Sequence, residues 1–114
     1  MRFASLGSGS RGNALLVEAG ETRLLVDCGF GPRELTRRLA RLGRVPGDLT
    51  AIVVTHEHGD HIGGVGRCAT RFGLPVHMTH GTRGAADRSI GADVPVSVFD
   101  SHAVFCIGDI DVQP

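Results

Sequence analysis

Three of the six histidines in this 114-residue chain lie within one hexapeptide, His56-Glu57-His58-Gly59-Asp60-His61. The hexapeptide directly follows residues 51–55, a continuous apolar, β-branched run that is typical of a buried strand. Such a strand can project His56 and His58 to the same side, because side chains alternate with a period of two residues. Imidazole and carboxylate groups suit Zn²⁺, Mn²⁺ or iron as ligands. The sequence therefore predicts a metal site where this strand ends, the alternative being a polar loop with coincidental histidines.

The rest of the chain alternates between strand and helix patterns. Strands are predicted at residues 14–19, 22–27, 75–78, 96–99, 104–107 and 110–112, and residues 3–6 form a short apolar run before the first of them. Helices are predicted at 32–42, where Leu35, Leu39 and Leu42 share one face, at 62–72 and at 82–90. This order indicates an α/β chain with antiparallel strand pairs at both ends, the first pair joined by a turn at Gly20-Glu21.

Composition narrows the classes of function. Twelve acidic residues balance twelve basic ones, so no net charge steers the chain toward nucleic acid or a membrane surface, and any such affinity is local. No apolar run has the length of a signal-sequence core or of a membrane span, which predicts a cytoplasmic protein with no membrane partner. The three cysteines, Cys28, Cys68 and Cys106, are widely spaced, which favours buried thiols in a reducing compartment.

Positive charge is concentrated in one segment. The predicted helix and its C-terminal flank hold five arginines against the single acid Glu34: Arg33, Arg37, Arg38, Arg41 and Arg44. A solvated helix face is favoured over a phosphate-binding stripe, because no aromatic residues interleave with the arginines to stack bases.

The motif and its surroundings resemble the metallo-β-lactamase-fold hydrolases. Residues 55–64, Thr-His-Glu-His-Gly-Asp-His-Ile-Gly-Gly, match the HxHxDH signature of that superfamily. Residues 24–29, Leu-Leu-Val-Asp-Cys-Gly, resemble the strand and Asp-x-Gly element that precede its first helix. Residues 5–13, Ser-Leu-Gly-Ser-Gly-Ser-Arg-Gly-Asn, are similar to the WalJ-type branch of bacterial DNA exonucleases. The resemblance implies an α/β fold that forms the N-terminal half of an αββα sandwich, a mixed sheet with flanking helices.

The resemblance also implies a role for each residue of the motif. His56 and His58 would bind one metal ion, while Asp60 and His61 would bind a second. Zn²⁺ is the expected metal, with Mn²⁺ as the alternative, and Asp60 is the expected catalytic residue. A water or hydroxide activated between the two ions would attack the scissile phosphorus or carbonyl.

Two further groups would support this centre. Asp27 and Thr55 would orient the histidine-bearing loop through hydrogen bonds. Ser8, Ser10 and Asn13 would form a substrate loop that contacts a phosphate, a reading we weigh equally with that of a flexible turn. The remaining histidines match no position of the signature and are expected to be ordinary surface or core residues: His77, His80 and His102.

The same resemblance predicts that further ligands lie downstream of residue 114. Residues 1–114 are therefore expected to be the N-terminal portion of one longer metallo-β-lactamase-like domain, inactive alone and supplying only the first sheet. An apolar sheet face left open in this way would favour self-association. The expected function of the complete protein is phosphodiester hydrolysis, with DNA or another phosphodiester as substrate. A thioesterase or lactamase on the same fold, and a non-catalytic metal-binding fragment, are the alternatives.

Overall fold

The computed structural model describes residues 1–7, 12–55, 64–79, 95–99 and 105–112. Its strands are β1 (Arg2–Gly7), β2 (Ala14–Ala19), β3 (Thr22–Val26), β4 (Ala51–Val54), β5 (Val76–Thr79), β6 (Val96–Phe99), β7 (Phe105–Ile107) and β8 (Ile110–Val112). Within the described residues, β1 to β6 form one six-stranded sheet in chain order, and β7 pairs with β8 in a two-stranded sheet. The pairs β1–β2 and β2–β3 are antiparallel, whereas β3 to β6 run parallel.

In the described part of the chain, two helices and a short 3-10 helix (Pro46–Asp48) connect these strands. Helix α1 (Pro32–Ala40) begins with a proline in its first turn and buries Leu35 and Leu39 completely. Helix α2 (Val65–Phe72) buries Val65, Cys68 and Ala69, and the left-handed Gly73 ends it. No helix among the described residues is long and apolar enough to cross a membrane.

Helix α1 is shorter than the predicted segment 32–42. The backbone N–H of Leu42 donates to Leu39, and that of Gly43 donates to Ala40, so the chain turns away at a glycine with φ of 71°. Leu42 is 42% exposed instead of sharing the buried face of Leu35 and Leu39.

Both faces of the large sheet are covered, at least in part. One face packs against α1 and α2 through side chains that include Leu25, Ile52 and Val54. The opposite face packs Leu24, Ala51 and Val53 against Ile107 and Ile110 of the β7–β8 hairpin. The expectation that the chain supplies only the first sheet is therefore wrong, because this hairpin adds a second layer over β2 to β4.

Several local predictions are confirmed by the observed elements. The buried strand after residue 50 is β4, whose four residues are all buried between parallel neighbours. The hairpin turn at Gly20 has a positive φ of 59°, as a two-residue connection requires. The predicted helix at 82–90 and the first residues of the predicted helix at 62–72 lie outside the described residues.

Candidate metal centre at the carboxyl edge of the sheet

The topology of the sheet brings the residues of the candidate site to one edge of the sheet. Strands β3, β4 and β5 run parallel, so their carboxyl ends meet at the same edge of the sheet. Strand β1 is related to β3 by two antiparallel steps, which places its end, Gly7, at this edge as well. Gly7, Asp27 and Thr55 are thereby brought to one edge of the sheet.

Asp27 is the central described residue of this edge. The predicted strand 22–27 ends one residue early, because Asp27 has a left-handed φ of 62° that a regular strand does not accommodate. Its backbone N–H still donates to Val53 at 2.7 Å, and its side chain turns toward the end of β4. Thr55 donates its N–H to Oδ1 of Asp27 at 2.7 Å and its hydroxyl to Oδ2 at 2.5 Å. A buried carboxylate thus holds the residue that immediately precedes His56.

The other end of the motif segment is held by Cys28, the residue that follows Asp27. Gly64 donates its backbone N–H to the carbonyl of Cys28 at 2.9 Å. Residues 55 and 64, which flank the histidine-rich segment, are therefore both fastened to the dipeptide Asp27-Cys28. A Cβ on Gly64 would lie 1.6 Å from the carbonyl oxygen of Phe30, so only glycine allows this close approach.

The predicted ligands themselves, His56, His58, Asp60 and His61, lie outside the described residues, as do Ser8 and Ser10. In the part of the chain that the structure describes, no group of three or more His, Cys, Asp or Glu side chains could hold a metal ion. The structure thus describes the supports of the predicted centre, Asp27 and Thr55.

The Gly-Ser segment 7–13 is anchored at both described ends. A Cβ on Gly7 or on Gly12 would lie 2.6 Å or 2.5 Å, respectively, from the ring of Phe30. The guanidinium of Arg38 lies 4.2 Å from the centre of that ring and donates to the carbonyl of Leu6 at 2.5 Å. The backbone N–H of Gly29 donates to the carbonyl of Asn13 at 3.0 Å, which ties the loop to the Asp27 turn. These contacts position Gly7, Gly12 and Asn13, the described residues at the two ends of the segment.

Two buried cysteines lie beneath this edge. Sγ of Cys28 and Sγ of Cys68 are 3.6 Å apart, and both thiols donate to the carbonyl of Phe30. The hydrogen bond with Cys28, together with burial, raises the pKa of Cys68, which favours the protonated thiol. Cys106 is exposed and donates to Asp111, so the expectation of three buried thiols is wrong for this residue.

The other histidines add little to the described site. His77 lies half-buried on β5, and burial lowers its pKa, which leaves the ring neutral at pH 7. Its assignment as an ordinary histidine stays a prediction. His80 and His102 lie outside the described residues.

Sequence reasoning missed Phe30, Arg38 and Gly64 as supports of the site. Arg38 was assigned to a solvated helix face, but its guanidinium packs on Phe30 because the preceding turn places that ring beneath α1. The available signal was the glycines at positions 7, 12 and 64, because close packing against Phe30 requires residues without a Cβ.

This chain is similar to known proteins along nearly its whole length. The sequence profile of the metallo-β-lactamase superfamily matches residues 7–112. The exodeoxyribonuclease WalJ of Streptococcus pneumoniae is 36% identical over 116 residues, which cover 98% of this chain and 43% of that protein. The exodeoxyribonuclease YycJ of Bacillus anthracis is 36% identical over 110 residues, covering 96% of this chain and 40% of that protein. The chain thus spans less than half the length of these curated relatives.

Solved structures support the same fold. The subclass B3 metallo-β-lactamase MEM-A1, isolated from a soil metagenome library, superposes with a TM-score of 0.77 at 20% sequence identity. The superposition covers 97% of this chain and 48% of that one. At this identity the likeness concerns the fold alone.

Proposed function

Because this chain belongs to the metallo-β-lactamase superfamily, we propose that it carries the first ligands of a metal-dependent hydrolase centre and forms the N-terminal portion of a longer domain. The observation that carries the proposal is the attachment of both ends of segment 56–63 to Asp27-Cys28 at the carboxyl edge of the sheet. Ligand-bearing loops need such support, because hydrogen bonds behind the ligands set their orientation. The names of the two exodeoxyribonucleases support a DNA exonuclease as the complete protein.

The donor set in the motif fits divalent metal ions. Imidazole nitrogens and a carboxylate are ligands that Zn²⁺ accepts, and Mn²⁺ is the alternative. We assign His56 and His58 to one ion and Asp60 and His61 to the second, with Asp60 as the catalytic residue. When bound, such ions lower the pKa of water to near neutrality and neutralise charge on a phosphodiester.

Other residues of the chain would orient the metal ligands and bind the substrate. The carboxylate of Asp27 fixes Thr55 and so sets the direction in which the segment with His56 leaves the sheet. The loop with Ser8, Ser10 and Asn13 would offer hydroxyl, amide and backbone N–H donors to a substrate phosphate. Phe30 and Arg38 fix the ends of that loop, which lowers the entropy lost when a phosphate binds.

The test of this function uses a protein of the relatives' length that contains this sequence. We expect it to release nucleotides from a 5′-labelled oligodeoxynucleotide in the presence of Zn²⁺ or Mn²⁺. The variant His58→Ala should lower turnover by more than about 100-fold, since loss of a mere support of a metal ligand already costs 10–100-fold. His77→Gln, which changes a histidine on β5, is the matched control and should leave turnover within about twofold.

Two outcomes would contradict the proposal. Turnover of acyl-glutathione or a chromogenic cephalosporin without any of the oligonucleotide would replace the nuclease with a thioesterase or a lactamase. Two tight zinc sites and nuclease turnover in the isolated 114-residue chain would contradict its assignment as an inactive portion of the domain, because His56 and His58 alone fall short of three protein ligands.

A further inference from the structure

A groove lies between α1 and α2 on the helical side of the large sheet, and neither Asp27 nor Thr55 lines it. It consists of two adjoining depressions of about 510 and about 390 Å³ that share Pro32 and Arg33. Helix α1 contributes Arg33, Thr36 and Arg37 to its lining. Helix α2 contributes Arg67, Arg71 and Phe72. We call this feature the α1–α2 groove.

The described lining of the α1–α2 groove is strongly positive. Four arginines line it, two from each helix: Arg33, Arg37, Arg67 and Arg71. Glu34 is the one acidic residue in the described lining, and it is already shared by Arg37 at 3.1 Å and Arg38 at 3.4 Å. Arg33, Arg67 and Arg71 form no ion pair with a described residue, and all three are exposed.

The arginines lie in two rows, one on each helix. Arg33 and Arg37 are four residues apart on α1, and Arg67 and Arg71 are four residues apart on α2, so each pair is separated by about 6 Å of helix rise. The guanidinium of Arg67 lies against the first turn of α1, since a Cβ on Gly31 would be 3.2 Å from its Nη2. The rows thus line one continuous groove, in which each successive phosphate of an extended strand could meet a guanidinium group.

An aromatic side chain completes the groove. Phe72 is partly buried against the main core and also lines the depression beside Arg33 and Arg71. The sequence interpretation of α1 as a merely solvated face depended on the absence of an aromatic residue among its arginines. The fold supplies one from α2, 39 positions beyond Arg33.

We propose that the α1–α2 groove binds a single strand of DNA outside the metal centre, with its phosphodiester backbone on the four arginines and a base against Phe72. Arginine rows combined with an aromatic surface are the arrangement by which proteins hold single strands without regard to sequence. The choice of DNA over other polyanions rests on the exonuclease proposed above. The groove would then retain the strand on which that enzyme acts.

The test measures binding without catalysis. A fluorescent oligodeoxythymidylate of about 20 nucleotides is titrated with the 114-residue chain in EDTA at salt concentrations from about 50 to 200 mM. Arg67→Ala/Arg71→Ala should weaken binding about tenfold at the lowest salt and reduce the slope of log K against log salt by about 1.4. Phe72→Leu, which keeps an apolar group against the core, should weaken binding at least about fivefold without changing that slope.

The matched control is Arg2→Ala/Arg41→Ala, which removes the same charge from two exposed positions outside the α1–α2 groove. This control should bind like the unchanged chain. Equal weakening by both double variants would overturn the proposal, as would no binding by the unchanged chain or tighter binding of oligouridylate. EDTA removes any metal ion, so the binding assay does not depend on the metal centre. Binding without nuclease turnover would contradict the proposed function but not the groove, and turnover without groove binding would contradict the groove but not the proposed function.

Discussion

At the scale of single residues, Asp27 combines a strained backbone with a buried carboxylate. Its φ of 62° lies in a region that few residues other than glycine, asparagine and aspartate adopt. The conformation turns the side chain across the end of β4, where both oxygens accept hydrogen bonds from Thr55. The backbone strain thus serves to place the carboxylate beside the start of the motif segment.

Two variants of Asp27 distinguish the energetic cost of the backbone strain from the contribution of the side-chain hydrogen bonds to stability. Asp27→Ala and Asp27→Gly both remove the carboxylate, which should lower the free energy of unfolding by about 2–3 kcal/mol. Asp27→Ala should cost about 1 kcal/mol more, because alanine is strained at positive φ and glycine is not. Urea unfolding of the 114-residue chain measures both differences, and an alanine variant as stable as the glycine variant would contradict the strained conformation.

At the scale of elements, helix α2 is positioned by the contact between its N-cap residue, Gly64, and the turn before α1. Gly64 donates to Cys28 and lies directly against the carbonyl of Phe30, whose oxygen also accepts from both buried thiols. This contact couples the start of α2 to the Asp27 turn. It also explains why the N-cap position of α2 holds a glycine.

Gly64→Ala should therefore lower the free energy of unfolding through this contact, apart from any effect on helix propensity. Its new Cβ would meet backbone atoms that cannot rotate away, so we expect a loss of at least about 3 kcal/mol in the free energy of unfolding. The melting temperature should fall by roughly 10 °C or more. Gly47→Ala is the control, since nothing lies within 4 Å of a Cβ there, and it should stay within about 0.5 kcal/mol of the unchanged chain. Similar melting temperatures for the two variants would exclude the close approach.

At the scale of the whole molecule, ion pairs join segments that are distant in sequence. Glu18 on β2 accepts two hydrogen bonds from Arg44, at 2.9 and 3.2 Å, and lies 3.5 Å from Nε of Arg23 on β3. The Arg44 hydrogen bonds, followed by the charges of Arg44 and Arg23, outweigh burial and lower the pKa of Glu18 below its usual 4.5. The segment after α1 is thereby tied to the antiparallel end of the sheet.

This pair predicts a pH dependence of stability. A carboxyl group whose pKa is lower in the folded state stabilises the fold above its unfolded pKa, and this contribution is lost as pH falls through the folded value. Glu18→Gln should therefore lower the free energy of unfolding by about 1.5 kcal/mol at about pH 7 and progressively less below about pH 4.5. Unfolding curves across this range provide the measurement, with Glu21→Gln in the exposed β2–β3 turn as the control. A loss that is the same at every pH would mean that the charge of Glu18 plays no part.

The sequence by itself determined the strands β2 to β6, both hairpins, the start of α1 and the superfamily, because strand alternation, turn residues and the HxHxDH spacing are local properties of the chain. One error, the end of α1, was local, since Gly43 turns the chain there. The exposure of Cys106, the second sheet layer and the packing of Arg38 depend on how the chain packs in three dimensions.

Only the tertiary structure decided which distant residues meet. It paired Asp27 with Thr55 across 28 positions, placed Phe30 beneath Gly7 and Gly12, and brought Phe72 to the arginines of α1. These contacts depend on the parallel register of the sheet and on the packing of two helices over it, and side-chain periodicity within one segment carries no information about either.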